Sequence, residues 1–252
     1  MNFIIKDFNI YYEKYGNGKE SILILPGWGD TRSTFNNLIS TLEKYYTVYI
    51  IDYPGFGKSS FPNRDLTIYD YSYLIKEFIT LNNIKNPIII GHSFGGRISI
   101  LLAGLYKMII KQIILIDAAG IRRKKSIKVR LKQFIYKALK KIGNILPHRL
   151  KDKYLNKLIS IFGSTDYKNL NPNIRKTFIQ VINEDLTIYL KDINCSTLLI
   201  WGENDLETPI EDGKLMTSKI KDSGLVIIPY ASHFPYLDYP YYINKIILEF
   251  LK

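Results

Sequence analysis

The sequence predicts an α/β fold, a mostly parallel, doubly wound sheet that carries a helical insertion. Three observations predict it. Short apolar runs recur along the 252 residues, bounded by Gly or Pro; segments with helical spacing alternate with them; and one stretch breaks this rhythm with helix-like segments alone. Continuous apolar runs suit strands that helices cover on both faces of a parallel sheet.

The elements follow in order. Asn2–Phe8 and Ile10–Tyr15 alternate apolar and polar residues and read as an N-terminal hairpin. Ser21–Leu25 is a continuous apolar run ended by Pro26 and Gly27, and similar runs lie at Thr47–Ile51, Pro87–Ile90, Lys111–Ile116, Thr197–Trp201 and Leu225–Ile228. Helix-period segments separate them at Ser33–Lys44, Thr67–Leu81, Phe94–Lys107, Ile210–Ile220 and Tyr239–Leu251. A core is therefore expected from residues 1–120 and 195–252.

Residues 121–194 are expected to form the insertion. Ile127, Leu131, Phe134, Ile135, Ala138 and Ile142 fall on one helical face, Lys and Arg on the other, and Gly143-Asn144 ends the helix. Pro147 opens a second helix near Leu150–Phe162. Asn171-Pro172 is an N-cap and first-turn pair for a third, running to about Asn183. The apolar face of the first helix is expected to pack on the domain beneath; the other role open to such a basic amphipathic helix is weak contact with an anionic membrane surface.

Composition narrows the class. A chain that is 46% hydrophobic, 13% aromatic and 23% charged is neither disordered nor collagen-like. A mean hydropathy of −0.05, with no run of about 20 apolar residues, excludes a polytopic membrane protein. Met1 to Ile10 already contains Lys6 and Asp7 and does not read as a signal peptide. The single cysteine, Cys195, forbids an intrachain disulfide and fits a reducing, cytoplasmic setting. The net charge of +12 is concentrated: residues 121–160 hold 14 Lys and Arg against one acid, Asp152. Lys outnumbers Arg 27 to 8, as AT-rich coding favours, so the bland reading is codon bias. No nucleic-acid motif accompanies the charge, and no nucleic-acid partner is expected.

The most informative segment is Gly91-His92-Ser93-Phe94-Gly95-Gly96, which reads G-x-S-x-G directly after an apolar run and directly before a helical one. A serine at that junction must adopt a strained backbone, and side chains two residues to either side would clash, which glycine avoids. The strain lifts the Ser93 hydroxyl clear of the sheet, and the next helix points its first N–H groups toward it.

A serine hydroxyl is a poor nucleophile at neutral pH and needs a base. The chain has three histidines. His92 adjoins Ser93, and successive residues at such a turn point apart, so it reads as a packing residue. His148 lies in the basic insertion. His233 lies in the loop after the last strand, which reaches the C-terminal edge of the sheet where ligands gather, so it is the expected base. An acid must fix the imidazole tautomer. Asp205, in the loop after Thr197–Trp201, is the first candidate; Asp117, ending the preceding strand, is the second, and Glu203 and Glu207 are also within reach.

With these residues the chain resembles the α/β-hydrolase-fold serine hydrolases, esterase- or lipase-like with a helical cap. The resemblance rests on Leu25-Pro-Gly-Trp-Gly-Asp30, Ile51-Asp-Tyr-Pro-Gly-Phe-Gly-Lys-Ser59, Gly91–Gly96, Trp201-Gly-Glu-Asn-Asp205 and Ser232-His233-Phe234, in family order. It implies Ser93 as nucleophile, Asp205 as acid, His233 as base, and an oxyanion hole from the backbone N–H groups of Trp28 and Phe94. Residues 121–194 match the family's cap, or lid. Pro26-Gly27 stands where many relatives have His-Gly, which backbone donors tolerate. Serine at position 93, where the haloalkane dehalogenase and epoxide hydrolase branches carry Asp, excludes those branches.

The expected activity is hydrolysis of small to medium carboxylic esters through an acyl-enzyme. The leading alternative is a carbon–carbon bond hydrolase of diketone-like acids, with Arg122 or Arg123 holding a substrate carboxylate; a thioesterase is a further option. A non-catalytic binding protein of the same fold is disfavoured by the intact set of residues. No cofactor and no metal are implied, since no Cys/His cluster has ligand spacing and the Gly-rich loops lack phosphate-binding patterns.

Overall fold

The computed structural model describes the chain outside residues 6, 124–126, 144, 146 and 163–169, and outside the side chains of 127–130, 132, 133, 148, 149, 152 and 156. Eight strands form one sheet: β1 (Asn2–Ile5), β2 (Phe8–Tyr15), β3 (Ser21–Leu25), β4 (Thr47–Ile51), β5 (Ile88–His92), β6 (Gln112–Ile116), β7 (Ser196–Gly202) and β8 (Ser223–Ile228). Their spatial order is β1-β2-β4-β3-β5-β6-β7-β8. The hairpin β1–β2 and the β2–β4 pair are antiparallel, and every pair from β4 to β8 is parallel.

Why these runs become central strands is visible in their alternation. Ile22, Ile24, Ile88, Ile90, Ile114, Ile116, Leu198 and Ile200 face one helical layer, which includes α1 (Asn36–Leu42) and α9 (Pro240–Phe250). Leu23, Leu25, Ile89, Ile113, Leu115, Leu199 and Trp201 face the other, with α2 (Ile68–Leu81), α3 (Phe94–Ile100) and α7 (Ile210–Lys219). Both faces are apolar because both are covered. α2 begins at a capping box, in which Thr67 accepts from the Asp70 amide and Asp70 accepts from the Thr67 amide. A short turn, α8 (Pro235–Asp238), precedes α9.

The core elements lie where the apolar runs put them, with local differences. The expected helix Phe94–Lys107 is α-helical only to Ile100 and continues as a π-helical turn, Leu101–Leu105. Gly104 there sits against the Tyr189 backbone, where a Cβ would lie 2.4 Å from the carbonyl oxygen. The first turn of the expected Ser33–Lys44 helix is a 3₁₀ turn, Arg32–Phe35.

Between β6 and β7 the described elements are all helical: α4 (Ile127–Gly143), α5 (His148–Phe162), a 3₁₀ turn at Pro172–Ile174 capped by Asn171, α6 (Arg175–Asn183), and a 3₁₀ segment Thr187–Asp192. The expectation that the apolar face of α4 packs on the domain beneath is corrected. Leu131, Phe134 and Ile142 are 58%, 71% and 55% exposed. The reason is that α4 pairs with α5, through Tyr136 against Phe162 and Tyr154 Oη donating to Leu139 O at 3.2 Å, and Leu131, Phe134 and Ile142 are left exposed. α6 is the helix that reaches the core: Thr177 Oγ1 accepts from the Leu66 amide at 3.0 Å, and Arg97 donates to Glu184 O at 2.9 Å. No described helix is long and apolar enough to cross a membrane.

Candidate active site

The parallel strands bring their following loops to one edge of the sheet, and the candidate residues stand there. β5 runs straight into Ser93, which adopts φ 47° and ψ −109°, a conformation that costs about 1–3 kcal/mol for a residue with a side chain. Its amide donates to Ile116 O at 3.1 Å, and its carbonyl accepts from Gly96 and Ala119 at 3.0 and 2.9 Å. The turn is thus clamped to the end of β6. A Cβ on Gly95 would lie 1.9 Å from Leu25 O, and one on Gly91 2.7 Å from Gly95 O, so two glycines flank the serine for steric reasons.

Ser93 is half-buried and borders a cavity of about 280 Å³ lined also by Trp28, Phe94, Arg97, Arg123 and Phe178. The amides of Trp28 and Phe94 make no hydrogen bond to another described residue. The Trp28 ring is held edge-on by Phe56, Tyr71 and Phe94 at centroid distances of 4.9, 6.1 and 5.0 Å, and Phe178 of α6 lies 5.3 Å away. A second cavity, about 310 Å³, shares Trp28 as a wall and is lined further by Phe56, Leu170 and Ile174. Arg123 is engaged by Asp212 at 2.9 Å and Glu211 at 3.8 Å; Arg97 is buried and bonds backbone carbonyls.

His233 Nδ1 lies 2.8 Å from Asp205 Oδ2. Asp205 is buried, and each of its oxygens is occupied. Oδ1 accepts from the amides of Glu207 and Thr208 at 2.7 and 3.1 Å, and Oδ2 from Thr208 Oγ1 at 2.6 Å as well as from His233. Burial acts to raise the Asp205 pKa, but the hydrogen bonds from His233 and Thr208 outweigh it and bring it down to about 2. Asp117, the second candidate acid, ends β6 beside this pair and does not contact His233 by hydrogen bond. The structure therefore joins Asp205 and His233; it shows no hydrogen bond between Ser93 Oγ and His233 among the described residues. Glu207 also borders the cavity, and the Glu203 carboxylate is engaged by the Tyr230 amide. The side chain of His148 lies outside the described residues.

His92 does more than pack. Its ring is buried against His233, Phe234 and Tyr236 at 4.9, 4.9 and 5.1 Å, and Nε2 lies 2.9 Å from the His233 carbonyl oxygen. Nδ1 faces Tyr236 Oη at 3.3 Å and Asp30 Oδ2 at 3.4 Å. Burial lowers its pKa and outweighs Asp30, which pulls it up. In the neutral ring that burial favours, Nε2 carries the proton toward the His233 carbonyl and Nδ1 is the acceptor facing Tyr236 Oη. Sequence reasoning missed this link, and also Thr208. A signal for Thr208 exists, because an Asp followed within three residues by Thr suits a turn closed on the Asp carboxylate; nothing in the sequence ties Asp30 to His92.

One described cluster, Asp117, Asp205 and His233, has three atoms of metal-ligand type within 4.8 Å of one another. Most of its atoms are spent on each other, on backbone amides and on the Thr208 hydroxyl, with Asp117 Oδ2 left over, so it reads as a hydrogen-bonded acid cluster.

The model of the alpha/beta hydrolase fold family matches residues 20–149, just over half of the chain. This chain is an α/β hydrolase. The α/β hydrolase is 29% identical to the pimeloyl-[acyl-carrier protein] methyl ester esterase of Wigglesworthia glossinidia brevipalpis, over 96% of this chain and 97% of that protein. It is 23% identical to the 2-hydroxy-6-oxononadienedioate/2-hydroxy-6-oxononatrienedioate hydrolase 1 of Pseudomonas putida, over 97% and 92%. The esterase EaEST from Exiguobacterium antarcticum shares the fold with a TM-score of 0.74 at 22% identity, over 96% of this chain and 95% of that one. Relatives over nearly the whole of the chain include named esterases and hydrolases, and the α/β hydrolase is an enzyme of the hydrolase class.

Proposed function

We propose that this hydrolase cleaves small to medium carboxylic esters through Ser93, His233 and Asp205. The observation that carries the reading is the 2.8 Å bond between Asp205 and His233 beside a strained serine that borders a cavity. With Nδ1–H donated to Asp205, the His233 lone pair is at Nε2, ready to take a proton. Ser93 Oγ attacks the ester carbonyl as its proton passes to Nε2, so the Ser93–His233 contact closes when substrate is bound. The oxyanion is held by the amides of Trp28 and Phe94, each donor contributing about 2.7–4 kcal/mol of barrier lowering. The intermediate collapses by breaking the C–O bond, and His233 gives its proton to the departing alcohol. Water then attacks the acyl-enzyme, its proton going to His233 and finally to Ser93 Oγ.

In this reading residues 121–194 are the cap. Phe178, Val181 and Ile182 border the Ser93 cavity, which supports a role in choosing substrate. The Wigglesworthia relative makes a methyl ester the first substrate to try. The carbon–carbon hydrolase is the second reading, favoured by the Pseudomonas putida relative; Arg123 in the cavity wall could serve its substrate carboxylate only by giving up Asp212 and Glu211. A para-nitrophenyl ester series run beside a dienoate separates them: ester turnover lost in Ser93→Ala supports the first, and turnover of the dienoate alone overturns it.

A further inference from the structure

Asp117 is fully buried at the end of β6, with φ 41°. Its Oδ1 accepts from the Gly202 amide at 2.9 Å. Its Oδ2 is sealed from solvent and has no donor within reach. The Asp117 carboxyl group stands close to another carboxylate: an oxygen of Asp117, an oxygen of Asp205 and a ring nitrogen of His233 lie within 4.8 Å of one another. Two ionised carboxylates in one buried site repel, and Asp205 is the one with donors on both oxygens. The charge therefore belongs on Asp205, and the orphaned oxygen of Asp117 is explained if it carries a proton.

We propose that Asp117 is a neutral carboxylic acid whose O–H donates to the Asp205 carboxylate, making it a positioning residue behind the His233–Asp205 pair. Its place in catalysis rests on the triad reading above; its protonation does not. Burial first, and then the Asp205 carboxylate, push the Asp117 pKa up to about 10. The titratable groups around it are Asp205 from the loop after β7, and His233, Tyr236 and Asp238 from the loop and turn after β8. The Asp238 carboxylate accepts from the Ser232 amide and hydroxyl and adds to the field that keeps Asp117 neutral.

The test is urea unfolding of the wild-type chain and Asp117→Asn between pH 4.5 and 8.5. In the unfolded chain Asp117 ionises near pH 4, whereas in the fold it keeps its proton. Its contribution to stability is complete below the unfolded value and is lost as pH rises toward the folded one. Asn carries no such linkage. The ratio of the two unfolding constants is therefore expected to shift in favour of Asp117→Asn by about tenfold per pH unit. A ratio that stays flat across this range, or moves the other way, overturns the proposal.

A kinetic arm reads the positioning role. Asp117→Ala removes the donor to Asp205, and kcat for a para-nitrophenyl ester is expected to fall about tenfold, with KM within about twofold. Asp117→Asn is expected to recover most of that loss. Its carbonyl oxygen is held by the Gly202 amide, which leaves its N–H₂ facing Asp205. Asn no better than Ala overturns the positioning role. If Ala does not fold, the unfolding ratio of the Asn variant still decides. If Ser93→Ala keeps ester turnover, the triad reading falls while the unfolding ratio continues to judge Asp117.

Discussion

Replacing Asp205 with Asn tests how tightly the site fixes the proton on His233. Asp205 Oδ1 accepts two backbone amides, at 2.7 and 3.1 Å. In Asp205→Asn the amide carbonyl must take that place, because an N–H₂ there would face two donors. The N–H₂ group is then forced into the position of Oδ2, 2.8 Å from His233 Nδ1. It donates to Nδ1, the ring proton moves to Nε2, and the imidazole presents an N–H to Ser93 in place of a lone pair. In the Ser-His-Asp proteases the same tautomer error lowers kcat about 10⁴-fold, near 5.5 kcal/mol of barrier. A loss of that size is expected here in para-nitrophenyl ester hydrolysis. Asp205→Ala, which does not dictate the tautomer, is expected to retain more activity than Asp205→Asn. Retention of more than about a tenth of wild-type kcat in the Asn variant, or a ranking with Ala below Asn, would refute the geometric reasoning.

Other expectations follow from single contacts. Asp205 is held near pH 2 in the fold, against 3.8 for the free side chain. Its contribution to stability is complete above about pH 4 and is lost as pH falls through 2, so the advantage of wild type over Asp205→Asn in acid unfolding should shrink across that window by about 2 kcal/mol. Gly95→Ala would drive a Cβ into the Leu25 carbonyl at 1.9 Å, and thermal melting should show a loss of about 3 kcal/mol. Gly224→Ala meets nothing within 4 Å and should gain about 0.5 kcal/mol in the same assay; equal behaviour of the two variants would contradict the packing argument at the elbow. His92→Leu deletes the donor to the His233 carbonyl and should cost about 1–3 kcal/mol of stability, measured by urea unfolding, with a fall in kcat.

The central sheet was legible because Ile, Leu and Val fill both faces of each inner strand: Ile88, Ile89 and Ile90 leave no doubt of a covered strand, and Gly91 and Gly95 mark where it must turn. The loop positions of Ser93, Asp205 and His233 were legible for a related reason, since parallel strands deliver their following loops to one edge. Helix α4 was legible as a helix but not in its packing. Periodicity states which residues share a face, and Leu131 and Phe134 do; it does not state which neighbour that face meets, and α5 meets α4 at Tyr136 and Leu139 while Leu131 and Phe134 stay exposed. The roles of His92 and Asp117 were hidden for a third reason. Each depends on a contact between residues 85 or more apart in sequence, His92 with His233 and Asp117 with Gly202. No local pattern encodes such a pairing.

The most direct test is covalent. A fluorophosphonate reacts with a serine hydroxyl only when a neighbouring base takes its proton and donors hold the developing oxyanion. Mass spectrometry of the labelled chain should find one adduct, on Ser93, with labelling abolished in Ser93→Ala and strongly slowed in His233→Ala. An unlabelled Ser93 in folded protein, or an adduct whose rate ignores His233, would contradict the account.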